Sequence, residues 1–281
     1  MADSTFEWTY TSENHLDEDK VWRQDISPNL NELLPNVRQI CQYGLTEMLN
    51  NAFAHSASKE FNIKLSMNEQ EVIFEIIDSG IGVFAKVQND LGLDDPRHSV
   101  LELAKGKFTS DPQNHSGEGI FFTSRVFDQF SIRSGKLLFF GGRNGDWHLE
   151  EFPESEIAGT VIRMMICKDS SLKIADIFNE YTDPDKNPGF HKTVIPLKLM
   201  EQDGYSLISR SQAKRLINRF DRFLEVIIDF SGVEMIGQGF ADELFRVFAN
   251  AHSGVNLQPV NCSQNVENMI RHTGFSGTIS K

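Results

Sequence analysis

The sequence predicts an α/β protein in two parts: a larger α/β sandwich, with helices on one face of a mixed sheet, followed by a smaller α/β unit. Three observations predict it. A long amphipathic helix runs directly into two alternating segments, and strand and helix patterns then interleave as far as residue 181. After that, Asp183-Pro184-Asp185-Lys186-Asn187-Pro188-Gly189 breaks the pattern, and a second set of strands and helices begins. The resulting boundaries are an acidic, flexible tail over 1–20, a first domain over 21–170, a helix and linker over 171–192, and a second domain over 193–281.

The first helix is read from Val37, Ile40, Cys41, Leu45, Met48, Leu49, Ala52 and Phe53, which recur at helical spacing for about five turns. Pro35 suits its start and Gly44 weakens it locally. Segments 61–67 and 72–77 alternate across Asn68-Glu69-Gln70 and read as a hairpin. Asp94-Asp95-Pro96 opens a helix that Gly106 ends. Residues 105–119 turn polar and glycine-bearing, 121–127 read as helix, and 131–133, 136–140, 147–150 and 160–167 as strands. A helix over 172–181 precedes the linker. Beyond it, strands are expected at 193–199, 205–208, 225–230 and 256–261, with helices at 211–223, 239–251 and 265–272.

Composition narrows the function. The 281 residues carry a net charge of −13, which argues against a broad nucleic-acid footprint. No apolar run approaches the roughly 18 residues that cross a bilayer. The N-terminus also lacks the basic-then-apolar order of a signal peptide, so a cytoplasmic location is expected. The three cysteines, Cys41, Cys167 and Cys262, are scattered without CxxC spacing and read as reduced structural thiols. The 22 phenylalanines read as core filling.

Glu47, Asn51 and His55 stand at i, i+4 and i+8, roughly along one ridge of the first helix. A carboxylate and a carboxamide one turn apart can hold a magnesium ion and orient a water or hydroxyl; the same residues also suit the wet side of an amphipathic helix. Asp78 ends an apolar strand and leads into Ser79-Gly80-Ile81-Gly82. An aspartate there can accept from an exocyclic amine, while the glycines let backbone approach a ligand. Ser116-Gly117-Glu118-Gly119 then opens a helix whose first amides suit phosphate. No Walker A motif and no GxGxxG occurs, which disfavours P-loop and Rossmann readings, and no histidine and cysteine set has zinc spacing.

In this order the three elements resemble the N, G1 and G2 boxes of the GHKL ATPase superfamily, which includes gyrase, heat-shock chaperone, histidine-kinase and MutL ATPase domains. The resemblance spans about residues 30–167 and takes in Gly159-Thr160. It implies a Bergerat-type fold with ATP and Mg2+ as cofactors. Glu47 would be the general base and Asn51 the magnesium ligand, with His55 beside them. Asp78 would read adenine in a pocket shaped by Gly80 and Gly82, with Thr160 near it. Gly117, Glu118 and Gly119 would meet the phosphates. Residues 84–116 would form an ATP lid, from which Lys105, Lys107, Thr109 and Ser116 could reach the phosphates.

Residues 193–281 resemble the STAS domain, through the strand 226–230, the turn to Gly237-Gln238-Gly239 and the helix that follows. STAS antagonists of anti-sigma factors carry a phosphorylatable serine in that turn; here the turn has no hydroxyl. Ser231 and Ser209 are the nearby hydroxyls, read first as a turn residue and an N-cap. Together the resemblances imply an ATP-binding signalling or transcription regulator that couples phosphotransfer or hydrolysis to a partner-binding domain. The partner is a regulatory protein, sigma-factor-like or other, or a second copy in a homodimer, with no direct nucleic acid and no membrane. A non-catalytic, ATP-dependent switch remains the alternative.

Overall fold

The computed structural model describes residues 3–13, 17–109, 117–143, 145–183, 187–200 and 207–280. The chain divides into two compact units, Met1–Phe178 and Asn179–Lys281.

The N-terminal unit is built on one sheet. Its strands are β1 (Ser4–Thr11), β2 (Glu60–Met67), β3 (Glu71–Asp78), β4 (Gln129–Gly135), β5 (Leu137–Gly141), β6 (His148–Glu151) and β7 (Ile157–Cys167), arranged β1-β2-β3-β7-β4-β5-β6. Every neighbouring pair is antiparallel, which corrects the mixed sheet expected from sequence. The interleaved helices suggested parallel crossovers, but β7 returns between β3 and β4 antiparallel to both.

β1 corrects the flexible tail. Phe6, Trp8 and Tyr10 are half-buried and alternate with exposed Thr5, Glu7, Thr9 and Thr11, and the strand pairs along its whole length with β2. The Tyr10 hydroxyl donates to Asp25 Oδ2 at 2.7 Å. A two-residue aromatic period lay inside an acidic composition.

The helices of this unit are α1 (Glu18–Val21), α2 (Pro35–His55), α3 (Val83–Leu91), α4 (Pro96–Lys105) and α5 (Gly119–Val126); α6 (Ile174–Tyr181) carries the chain across the division. α2 buries Val37, Ile40, Cys41, Leu45, Met48, Leu49 and Ala52 and lies against β3 and β7. Each large side chain so buried contributes about 1.5–3 kcal/mol. At Gly44 the helix meets α5 and the residue that follows it: a Cβ there would stand 2.9 Å from Phe127 Cζ and 3.2 Å from Thr123 Cγ2. It is a packing requirement of the helix pair.

α3 was not expected. Gly82, at φ +83°, turns the chain into it, and Gly92, at φ +61°, closes it with a left-handed cap. Phe84 and Val87 supply its buried face. α4 keeps the expected bounds, with Asp95 accepting the Arg97 amide as N-cap and Gly106 at the C-cap.

The alternation of β3 decides where the site lies. Val72, Phe74, Ile76 and Asp78 all point inward. The register sets Asp78 opposite Thr160 on β7, and Thr160 opposite Ser134 on β4, giving a buried polar row at one end of the sheet. Ile76, Ile162 and Ile132 form the next row.

In the C-terminal unit, β8 (Thr182–Asp183) pairs antiparallel with β9 (Asn187–Phe190). β10 (Lys192–Pro196), β11 (Glu225–Asp229) and β12 (Asn256–Val260) form a parallel sheet in that order. α7 (Arg210–Ile217) is shorter than expected, because Arg219 at φ +65° breaks it before a 3-10 turn at Phe220–Arg222. α8 (Gln238–Asp242) passes through a π-helical stretch, Glu243–Phe248, into α9 (Ala249–Ala251), and α10 (Gln264–His272) follows β12. Of the expected strand 205–208, residues 205 and 206 lie outside the described residues, and Leu207 makes a single parallel bridge to Ile236. Residues 184–186 of the expected linker also lie outside them.

Candidate functional site

A cavity of about 260 Å³ opens over the polar row in the N-terminal unit. Small-molecule pockets run from roughly 300 to 1,000 Å³, and this cavity lies just below that range. α2 contributes Glu47, Asn51 and His55 to its lining, all from the ridge identified in the sequence, together with Asn50. From Glu47 to His55 the helix rises about 12 Å, so α2 measures out the length of the site.

At the Ser56 end of α2 the helix meets the turn after β3. The Ile81 amide donates to the Ser56 carbonyl at 2.8 Å, and a Cβ on Gly80 would run into that same carbonyl. Gly80 therefore shapes the site by allowing this approach, without lining the cavity. Asp78 is only 5% exposed, and its Oδ1 accepts the Gly80 amide at 2.9 Å. Burial raises its pKa above the ordinary carboxylate value, opposed by hydrogen bonds from the Gly80 amide and from the Thr160 backbone and hydroxyl. Thr160 Oγ1 in turn accepts the Val83 amide at 3.1 Å. Gly82 and Thr160 line the cavity beside Asp78, and the three isoleucines of the next row form its apolar floor. A buried acceptor set in an apolar slot suits a flat ring carrying an exocyclic amine.

At the other end the cavity is bounded by Gly117, Gly119 and Ile120, at the start of α5. Gly117 has φ +71°, and a Cβ there would collide with the Phe108 backbone. Gly119 lies directly under the Glu47 carboxylate: a Cβ on it would strike Glu47 Oε2 and come within 3.6 Å of Asn51 Nδ2. A carboxylate, a carboxamide and helix-initial amides thus converge on one spot, as suits an anionic ligand and its counterion. Among the described residues no cluster of three or more His, Cys, Asp or Glu side chains forms a metal cage. A magnesium ion that keeps waters and phosphate oxygens needs only one or two protein donors, and Glu47 and Asn51 fit that demand.

Thr109 lines the cavity, whereas Lys105, Lys107 and Glu118 do not, and Ser116 lies outside the described residues. The Lys105 side chain is fully buried, with Nζ 2.6 Å from Glu102 Oε1 one turn back on α4. Glu118 lies near Tyr43, whose hydroxyl pKa is pushed up by burial and then by Glu47 and Glu118. Three polar lining residues were missed in the sequence, Asn50, Ser56 and Lys86. Asn50 adjoins Asn51, Ser56 caps the end of α2, and Lys86 lies on α3, a helix not expected from the sequence.

In the C-terminal unit the turn lacking a hydroxyl has a packing reason. The Gly237 amide donates to the Leu207 carbonyl at 2.8 Å and the Phe240 amide to the Ile208 carbonyl at 3.1 Å. A Cβ on Gly237 would stand 2.7 Å from Ile208 Cα. Ser231 is held by Asp229 Oδ1 through both its amide and its hydroxyl, and Ser209 caps α7 in a capping box with Gln212.

Residues 212–267, from α7 into α10, match the family model of a STAS-like domain of unknown function (DUF4325). The C-terminal unit therefore contains a STAS-like domain. A search of curated proteins found no match to the chain. No helix among the described residues is long and apolar enough to cross a membrane.

Proposed function

We propose that the N-terminal unit is an adenine-nucleotide-binding domain of the GHKL type, with a Bergerat-type site, and that its nucleotide state governs how the STAS-like domain meets a protein partner. The observation that supports this is convergence on a single cavity. Glu47, Asn51 and His55 from α2, Asp78 and Gly82 from the turn after β3, Gly117 and Gly119 before α5, and Thr160 from β7 all line it, although up to 113 positions separate them in sequence. Asp78 and Thr160 take the adenine amine on the isoleucine floor, and the first amides of α5 take the phosphates. Magnesium bound with the triphosphate neutralises charge on the phosphate oxygens. Asn51 would hold that ion, and Glu47 would take a proton from a water or from a serine hydroxyl of a partner.

Turnover of γ-labelled ATP by the full chain, alone and with candidate partner proteins, tests the enzyme reading. Wild type is expected to release or transfer label, and Glu47→Ala to keep nucleotide binding while losing turnover. Tight binding by wild type with no release and no labelled protein replaces the enzyme with a nucleotide-dependent switch.

A further inference from the structure

We propose that Lys86 is the cation that makes this cavity select nucleotides over nucleosides, by meeting the phosphate attached to the ribose; the inference rests on the adenine-nucleotide reading of the same cavity. The lining holds two carboxylates, Glu47 and Asp78, and Lys86 is its single lysine or arginine among the described residues. A polyanionic ligand entering a cavity with two acids needs a compensating positive charge. Lys105 does not supply it, because its ammonium is buried against Glu102.

Position defines which phosphate Lys86 would meet. Its amide donates to the Gly82 carbonyl at 3.0 Å, so it sits one turn, about 5.4 Å, along α3 from the glycine that borders Asp78 and Thr160. The Glu47 and Gly119 end lies roughly 12 Å along α2 from the Asp78 turn. Lys86 is thus close in sequence and along α3 to the base end, where the sugar and the first phosphate would follow the base. Its ammonium lies 3.1 Å from Asp90 Oδ2, with the two side chains 24% and 28% exposed, a modest half-exposed pair one turn away on the same helix. A phosphate oxygen can displace that carboxylate at little cost, which leaves Lys86 poised for an incoming anion.

Titration calorimetry of the full chain with adenosine, AMP, ADP and ATP, with and without magnesium, tests this. Lys86→Ala is expected to weaken AMP, ADP and ATP alike by about ten- to a hundred-fold and to leave adenosine unchanged. Lys86→Arg is expected to restore most of the nucleotide affinity, and Asp90→Asn to tighten all three nucleotides by about two- to five-fold. AMP binding unaffected by Lys86→Ala, or a loss confined to ATP, overturns the assignment. If wild type binds none of the four, the nucleotide reading itself falls and takes this inference with it. Wild-type binding with an indifferent Lys86 sinks the inference alone.

Discussion

Replacing Gly119 with alanine tests the geometry at the Glu47 end of the cavity without needing a ligand. Gly119 is the first residue of α5 and has an ordinary helical φ, so alanine favours the helix by up to about 1 kcal/mol. Against that, the new methyl strikes Glu47 Oε2 and stands 3.3 Å from Glu47 Cδ. The struck atom is the far end of a flexible side chain that can swing aside, so this crowding costs about 1 kcal/mol, the low end of the overpacking range. The single variant should therefore lie within about 0–1 kcal/mol of wild type, on the destabilised side. Placed on Glu47→Ala, the same substitution meets no carboxylate, and it should stabilise by about 0.5–1 kcal/mol. The expected coupling energy is about 1 kcal/mol, beyond the roughly 0.5 kcal/mol within which independent sites add. All three tryptophans, Trp8, Trp22 and Trp147, lie in the N-terminal unit, so urea unfolding followed by their fluorescence reports on that unit. Additive effects in this double-mutant cycle would refute the placement of Glu47 over Gly119.

Gly44→Ala drives a methyl into the Phe127 ring where α2 and α5 cross, and should cost about 1–3 kcal/mol on the same fluorescence assay. A gain of about 1 kcal/mol, as an unobstructed helical glycine would give, contradicts that packing. Asp78 gives a pH signature. Burial raises its pKa in the folded chain, so the folded state binds this proton more tightly, and stability is lost as pH rises through the folded value. Asp78→Asn should therefore raise the urea midpoint at pH 7, with the difference from wild type shrinking towards about pH 4 and below. A pH-independent difference would remove the buried carboxyl from the account.

The parts of the site carried by local pattern were legible in the sequence. Helical spacing put Glu47, Asn51 and His55 on one ridge, which spacing alone left open as a wet face, and Asp78 was read as the end of an apolar strand; the alternation of β3 is what turns it inward. What the sequence could not show was set by tertiary contact. Lys105 and Lys107 looked alike as loop-edge lysines, yet an i, i+3 glutamate and the packing of α4 bury the first, while the second is half-buried. Lys86 was hidden because no helix was read ahead of Asp94; Gly82 and Gly92, both at positive φ, delimit one there with its own buried face. β1 was missed because charge outweighed the alternation of Phe6, Trp8 and Tyr10, whose inner face finds a partner only once β2 is formed. The glycine turn at 237–239 was read correctly as lacking a hydroxyl, but its cause, the close approach of Ile208, involves a segment about thirty positions away.

Calorimetric titration of the full chain with a non-hydrolysable ATP analogue and magnesium, beside Asp78→Asn, tests the central claim most directly. Wild type should bind one analogue per chain, competed by ADP. The Asp78→Asn chain, folded and at least as stable at pH 7, should bind about ten- to a hundred-fold more weakly, because a charged acceptor for the adenine amine is lost. Absence of binding by wild type, or equal binding by Asp78→Asn, would contradict an adenine-nucleotide site built around Asp78.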